Sequence, residues 1–109
     1  MFNSNLPDSD LLKTILEPLL EDFQYWFERS RLLLETEDIP FLSTDEQADL
    51  LARIVIAQQE LSAIKMLFQA TNGQVGIDPA SLVPWHLLVT ECLQVTMSFR
   101  SGEGAEKGI

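Results

Sequence analysis

The sequence predicts an all-α fold: a three-helix up-down-up antiparallel bundle with helices at about residues 9–36, 44–72 and 79–100. Three observations lead to this prediction. Apolar residues recur at alternating steps of three and four in each segment, which is the period of an amphipathic helix. Capping residues, proline and glycine mark the ends of the segments. The connections are only about seven residues long, so consecutive helices should run antiparallel.

The first predicted helix begins at Asp8 or Ser9, since either residue can cap it. Pro18 removes one helical hydrogen bond, which predicts a kink between Thr14 and Pro18. Pro40 disfavours helix at the residue before it and closes the segment. The predicted core stripe, widened on one side by its last three members, is Leu12, Leu16, Leu19, Phe23, Trp26, Leu33, Leu20, Phe27 and Leu34.

The second predicted helix begins at Ser43, because Glu46 stands three positions later at the spacing of a capping box. It ends at Asn72-Gly73, where Gly73 suits the left-handed residue that follows a helix. Its predicted core stripe is Leu50, Ile54, Ala57, Leu61, Ile64 and Phe68.

The third predicted helix begins at Pro79 with Asp78 as its cap. A start at Ser81 is an alternative, because Pro84 would then fall in the first turn. The predicted core positions of this helix are Leu82, Trp85, Val89, Cys92 and Phe99, flanked by Leu88 and Val95.

A chain of 109 residues is the size of one domain. We expect residues 9–100 to form a single helical domain after a flexible N-terminus at residues 1–8. Residues 101–109, SGEGAEKGI, are polar and rich in glycine, which predicts a disordered tail. The N-terminus lacks the pattern of a signal peptide, and no apolar stretch has the length of a membrane span.

The net charge of −10 is concentrated in the first half of the chain, where residues 1–49 carry twelve acidic residues against three basic ones. Such a field repels nucleic acid and anionic membrane surfaces, so we expect neither as a direct partner. One cysteine excludes an internal disulfide bond, and we expect a cytoplasmic protein.

His86 and Cys92 are the only histidine and the only cysteine, but they do not form a predicted site. Six helical residues separate them by about 240° around the axis and roughly 9 Å along it. Glu21, Glu28 and Glu35 repeat every seven residues on the side opposite the core stripe, which indicates a solvated acidic face. We therefore expect no catalytic residues, no metal and no cofactor, and we expect that the protein is not an enzyme.

The second helix has a second apolar stripe about 180° from its core stripe. Because a three-helix bundle needs one apolar face from each helix, the surplus stripe predicts either the middle layer of an unusual monomer or a protein interface, and apolar area of this kind commonly marks an interface. Self-association with twofold symmetry is the commonest use of such a surface, so we expect a homodimer, with a dedicated partner protein as the alternative. The stripe comprises Ala48, Ala52, Val55, Ile56, Ala63, Met66 and Leu67, and outward-facing Tyr25 and Leu32 of the first helix could join it.

The runs LLKTILEPLLEDFQYWFERSRLLLE, LSTDEQADLLARI, ATNGQVGID and PWHLLVTECLQ resemble a cyanobacterial family of small proteins, the domain of unknown function 2605. The resemblance extends from about Leu11 to Arg100. It implies a cyanobacterial setting that is cytoplasmic or thylakoid-associated. It implies no activity and no site residues.

Two functions follow as hypotheses. The first is a non-catalytic adaptor or assembly factor that docks through the second stripe and the acidic first helix, which would steer a basic protein partner. The alternative is a small-ligand or pigment-binding bundle with an apolar pocket around Trp26, Trp85 and Phe99 and with His86 at its rim.

Overall fold

The computed structural model describes the backbone of residues 5–73 and 77–108, and the side chains of residues 13–73, 77, 78 and 80–102. Three helices make up most of these residues: α1 (Asn5–Thr36), α2 (Thr44–Ala70) and α3 (Pro79–Gly108). No strand occurs in the described ranges. The prediction of an all-α chain with three helices is confirmed.

Helix α1 begins at Asn5, four residues before the predicted start, and continues through Pro18 to Thr36. Proline tolerates a helical φ but contributes no N–H, so one hydrogen bond is absent from the middle of a 32-residue helix. The kink at Pro18 stays a prediction. Of the predicted flexible segment 1–8, residues 1–4 lie outside the described residues.

The connection between α1 and α2 is held by the side chain of Gln47. Its amide nitrogen donates to the carbonyls of Leu34 at 2.9 Å and Glu37 at 2.8 Å, and its oxygen accepts from the Ile39 N–H at 3.0 Å. These bonds satisfy backbone groups at and just beyond the end of α1. Ile39 is thereby fixed in the core, a role that helical periodicity does not predict because Ile39 precedes a proline in a loop.

Both ends of α2 follow the sequence signals. The Ser43 hydroxyl accepts from the Glu46 N–H at 3.0 Å, and the Glu46 carboxylate accepts from the Ser43 N–H at 2.8 Å, so the predicted capping box is present. After Ala70 the chain turns with positive φ at both Asn72 and Gly73. Gly73 N–H donates to Phe68 O and Asn72 N–H donates to Gln69 O, which is the Schellman pattern.

Helix α3 adopts the Pro79 start rather than the alternative start at Ser81. The Asp78 carboxylate accepts from the Ala80 N–H at 3.0 Å and acts as the cap. Pro84 therefore lies in the second turn. The helix continues to Gly108, beyond the predicted end at residue 100, since no proline follows to break it and glycine costs only about 1 kcal/mol in a helix.

The core is formed by one face of each helix together with Ile39. All five buried α2 residues belong to the predicted stripe, and the predicted α3 positions are buried or partly buried. The prediction that Trp26 belongs to the core is wrong, since 36% of its surface is exposed. The α1 core face is centred on Phe27 and the small Ser30, so Trp26 falls at its edge.

Contacts between helices show which residues of α1 lie beside which residues of α2 and α3. Lys65 of α2 donates to Gln24 and Arg31 of α1 donates to Gln58, while Lys13 near the start of α1 donates to Asn72 beyond the end of α2. On α3, the ring of Trp85 contacts Phe23. The molecule measures 65 × 25 × 19 Å, which is long for its size.

Candidate functional site

The second apolar stripe of α2 lies on the outside of the molecule. Its members Ala48, Ala52, Val55, Ile56, Ala63, Met66 and Leu67, which we call the α2 outer stripe, are exposed, except that Val55 is half-buried. Met66 is 70% exposed and Ile56 is 54% exposed. The only other residue along its centre is the uncharged Gln59. An exposed apolar face of this length is unusual for the solvent side of a helix.

A groove between α2 and α3, which we call the α2–α3 groove, extends this surface. Ile56 and Ala57 form its α2 wall, and Pro84, Leu87 and Leu88 form its α3 wall, around a volume of about 360 Å³. Leu87 is 66% exposed. The sequence analysis did not identify Leu87 or Val83, which lies one turn earlier and is also exposed. Their spacing of four residues, on the side of α3 opposite the core stripe, would have indicated an exposed apolar surface.

An ion pair closes one end of the α2–α3 groove. Two nitrogens of Arg53 donate to the two carboxylate oxygens of Glu91 at 3.0 and 2.8 Å, and Arg53 Nε also donates to Asp49 at 3.0 Å. The hydrogen bond from Arg53 holds the pKa of Glu91 below its ordinary value, while the same bond raises the pKa of Arg53. The pair therefore stays charged at neutral pH and ties α2 to α3.

Polar side chains separate α1 from the α2 outer stripe. Gln58 donates to Glu28 at 3.0 Å and accepts from Arg31 at 2.9 Å. Tyr25 and Leu32, which the sequence suggested as additions to the stripe, are exposed. Tyr25 contacts the ring of Trp26, and Leu32 lines a groove between α1 and α3.

That second groove, which we call the α1–α3 groove, lies between the last three turns of α1 and residues 93–100 of α3. It has a volume of about 750 Å³. Two arginines, Arg29 and Arg100, stand on its lining beside Glu37. Its apolar lining consists of Trp26, Leu32, Leu33, Leu93, Met97 and Phe99.

The structure divides the residues of the hypothetical ligand pocket between the two grooves. Trp26 and Phe99 line the α1–α3 groove, but Trp85 lies in the wall of the α2–α3 groove and directs its N–H toward Glu60 at 3.4 Å. His86 is exposed, with its ring centroid 4.9 Å from that of Phe23. The three aromatic residues therefore do not enclose one pocket.

Cys92 is a buried thiol in the core, as the sequence indicates. Burial raises the pKa of the Cys92 thiol, and a hydrogen bond with buried Ser30 acts in the opposite direction. A protonated, inaccessible thiol is a poor nucleophile.

The acidic residues do not gather into a metal site. Glu21, Glu28 and Glu35 are all exposed, and Glu35 pairs with Arg31 on the same helix. Among the side chains that the structure describes, no group of three His, Cys, Asp or Glu residues could hold a metal ion. In the same part of the chain, no helix is long and apolar enough to cross a membrane.

Comparison with known proteins assigns the chain to a family. A family model described as a protein of unknown function, DUF2605, matches residues 6–101. The chain belongs to the DUF2605 family. No curated protein and no solved structure matches it. Because the DUF2605 match runs from α1 into the last part of α3, it includes the α2 outer stripe and the described lining of both grooves.

Proposed function

We propose that this chain is a non-catalytic protein-interaction module, an adaptor or assembly factor, that pairs with a second copy of itself through the α2 outer stripe. The observation that carries the proposal is the exposure of this apolar face within a single chain. Burial of apolar surface contributes about 25 cal/mol per Å², so such a face favours association.

A symmetric pair is the arrangement that the stripe suits best. In a twofold interface each residue meets its own counterpart or exchanges contacts with it, so the surface must be complementary to itself. Ile56 lies close to the midpoint of α2, which would bring two copies of Ile56 near the axis. The small side chains of Ala52 and Ala63 on either side permit a close approach of two helices.

The proposal includes an up-down-up antiparallel path for the three helices. Two sets of contacts support it: residues 34, 31 and 24 of α1 bond with residues 47, 58 and 65 of α2, in reverse order, and residues 23 and 30 of α1 meet residues 85 and 92 of α3, in the same order. In this arrangement the outer stripe of α2 and the acidic side of α1 are both exposed to solvent, on separate surfaces of the two helices.

The acidic side of α1 is the second element of the proposed function. Glu21, Glu28 and Glu35 are exposed along one side of the helix within a chain of net charge −10. A basic protein partner would be attracted by this field, and its association would weaken as salt screens the charges. The resemblance to cyanobacterial proteins suggests a cytoplasmic or thylakoid-associated setting for that partner.

The self-association step is tested by Ile56→Glu, with Ile15→Glu as the matched control. Both residues are isoleucines that are 54% exposed, but Ile15 lies on α1, away from the stripe. Light scattering should give the wild type and Ile15→Glu twice the mass of one chain, and Ile56→Glu the mass of one chain. A wild type with the mass of one chain contradicts self-association.

The adaptor step is tested by recovery of partners from the native host. Ile56→Glu and a triple charge reversal, in which Glu21, Glu28 and Glu35 become lysines, should each lose basic proteins that the wild type retains. Ile15→Glu should retain them. If all four proteins recover the same set, the adaptor proposal is wrong even where the dimer is present.

A further inference from the structure

The α1–α3 groove has apolar walls that the chain leaves open to solvent. Leu32 is 57% exposed and Met97 is 66% exposed, while Trp26 keeps about a third of its surface exposed. These three residues lie on the groove together with partly buried Phe99. The groove is therefore an apolar depression between two helices, and the side chains on its walls are exposed to solvent in the single chain.

The charge of the groove is opposite to that of the protein. The chain has 7 basic residues against 17 acidic ones, yet the groove lining holds two arginines and one glutamate. Among the described side chains, no carboxylate lies within 4.0 Å of Arg29 or Arg100, whereas Arg31 and Arg53 both have carboxylate partners. Two arginines are thus available for carboxylates that come from outside the chain.

Arg29 is held in position without being neutralised. One of its nitrogens donates to the Tyr25 hydroxyl at 2.9 Å, and its guanidinium carbon lies 5.5 Å from the centroid of the Tyr25 ring. These contacts restrict the side chain and leave other N–H groups of the guanidinium for a carboxylate, which arginine can bind through two parallel hydrogen bonds.

The dimensions of the groove favour a helix over a small molecule. Its lining on α1 extends from Trp26 to Thr36, eleven residues that rise about 15 Å, or about three helical turns. Small-molecule sites typically bury about 70–90% of their ligand. A groove with walls this exposed leaves one side of a ligand in water, which suits an amphipathic helix that binds through its apolar face and keeps its polar face solvated.

We propose that the α1–α3 groove binds an amphipathic helix of a partner protein, with the apolar face of that helix on Trp26 and Met97 and with carboxylates beside that face on Arg29 and Arg100. This surface shares no residue with the α2 outer stripe, so the inference goes beyond the proposed dimer and does not depend on it. The two arginines also disfavour the binding of basic helices in this groove, although the acidic surfaces elsewhere on the chain attract them.

The test uses two synthetic helices, because the probe must carry only the proposed features. Each is a fluorescently labelled peptide of about 14 residues, stapled to stabilise the helix, with leucines at i, i+3, i+4 and i+7. One has glutamates beside the leucine face, and the other has lysines at the same positions. Fluorescence anisotropy should show that the wild type binds the glutamate peptide about tenfold more tightly than the lysine peptide.

Variants then assign the binding to the groove. Arg29→Gln combined with Arg100→Gln should remove the preference for glutamate, and Met97→Glu should weaken binding of the glutamate peptide by at least about tenfold. Lys65→Gln, which removes a basic residue outside the groove, should bind as the wild type does. Circular dichroism verifies that each variant is folded.

Three outcomes overturn the inference. The first is no binding of the glutamate peptide up to about 1 mM, and the second is equal or tighter binding of the lysine peptide. The third is that dodecanoate monomers bind more tightly than the glutamate peptide and that the two arginine substitutions remove this binding, because the groove would then be a site for a small amphiphile. None of these outcomes depends on whether the protein is a dimer.

Discussion

Two residues just beyond the end of α2 show how a positive φ angle limits which amino acid can occupy a position. Asn72 and Gly73 both have positive φ, at 55° and 79°, where most L-residues are disfavoured. Asparagine tolerates this region, and its side-chain oxygen accepts a hydrogen bond from Lys13 at 2.6 Å. Gly73 has a second constraint, since a Cβ there would meet the Lys13 side chain at 3.0 Å.

We expect Gly73→Ala to lower the free energy of unfolding by about 1–2 kcal/mol, because alanine is strained at positive φ. Gly102→Ala is the matched control: Gly102 is helical and a Cβ there would meet nothing within 4 Å. That substitution should raise stability by up to about 1 kcal/mol through helix propensity. Urea denaturation of the two variants at one protein concentration measures both changes. Equal effects would contradict the left-handed conformation at Gly73.

At the scale of the helices, α2 and α3 are joined mainly through side chains that flank their groove. The Arg53–Glu91 pair forms two hydrogen bonds between these helices, and the Trp85 indole adds a longer contact with Glu60. Nearly half of the surface of both side chains in the ion pair is exposed, so solvent screens the attraction. Pairs of this kind contribute about 0.2–1 kcal/mol.

The pH dependence of this contribution follows from the lowered pKa of Glu91. A carboxylate with a folded-state pKa below its ordinary 4.5 stabilises the protein above that value, and the contribution disappears as the pH falls through the folded-state pKa. We expect Glu91→Gln to be about 0.2–1 kcal/mol less stable than the wild type at pH 7 and equally stable at the low-pH limit.

Chemical denaturation across this pH range measures the difference. Glu21→Gln, which removes an exposed carboxylate on α1, is the control for net charge. If the loss caused by Glu91→Gln is the same at all pH values, the Arg53–Glu91 pair does not stabilise the junction of the two helices.

The helices themselves are predictable because their signals are local. The capping box at Ser43, the Schellman turn at Asn72-Gly73 and the Asp78 cap each depend on neighbouring residues, and all three are present. Trp26 is different: its exposure depends on how α3 meets α1. A helical wheel shows which side of a helix is apolar but not where a neighbouring helix stops covering it.

The same limitation applies to the surfaces. The exposure of the α2 outer stripe agrees with its helical periodicity, whereas the α2–α3 groove needs Leu87 and Ile56 to be adjacent in space. From the sequence, Trp26 and Phe99 belong to a predicted aromatic pocket and Leu32 to the outward-facing side of the first helix, so the three residues were not predicted to form one groove. Its arginines, Arg29 and Arg100, are 71 positions apart, so only the packing of α1 against α3 brings them to one surface.

At the scale of the whole molecule, two separate apolar surfaces occur on a long, narrow three-helix chain. The radius of gyration of the Cα atoms is 17.7 Å, compared with about 13 Å for a compact domain of this length. An elongated helical molecule exposes more helix surface for its volume than a compact one. One side can therefore serve self-association through α2 while another, between α1 and α3, remains free for a partner.

This shape gives the proposed dimer a distinctive scattering profile. If two copies pair side by side with Ile56 near a twofold axis, their long axes overlap, and the largest dimension of the dimer should stay close to the 65 Å of one chain. Small-angle X-ray scattering of the wild type should then show twice the mass of one chain with almost the same largest dimension. The Ile56→Glu variant should scatter as one chain, with a radius of gyration near 17.7 Å. A dimer roughly twice as long as one chain would mean that the copies meet at their ends, which would exclude the α2 outer stripe as the dimer interface.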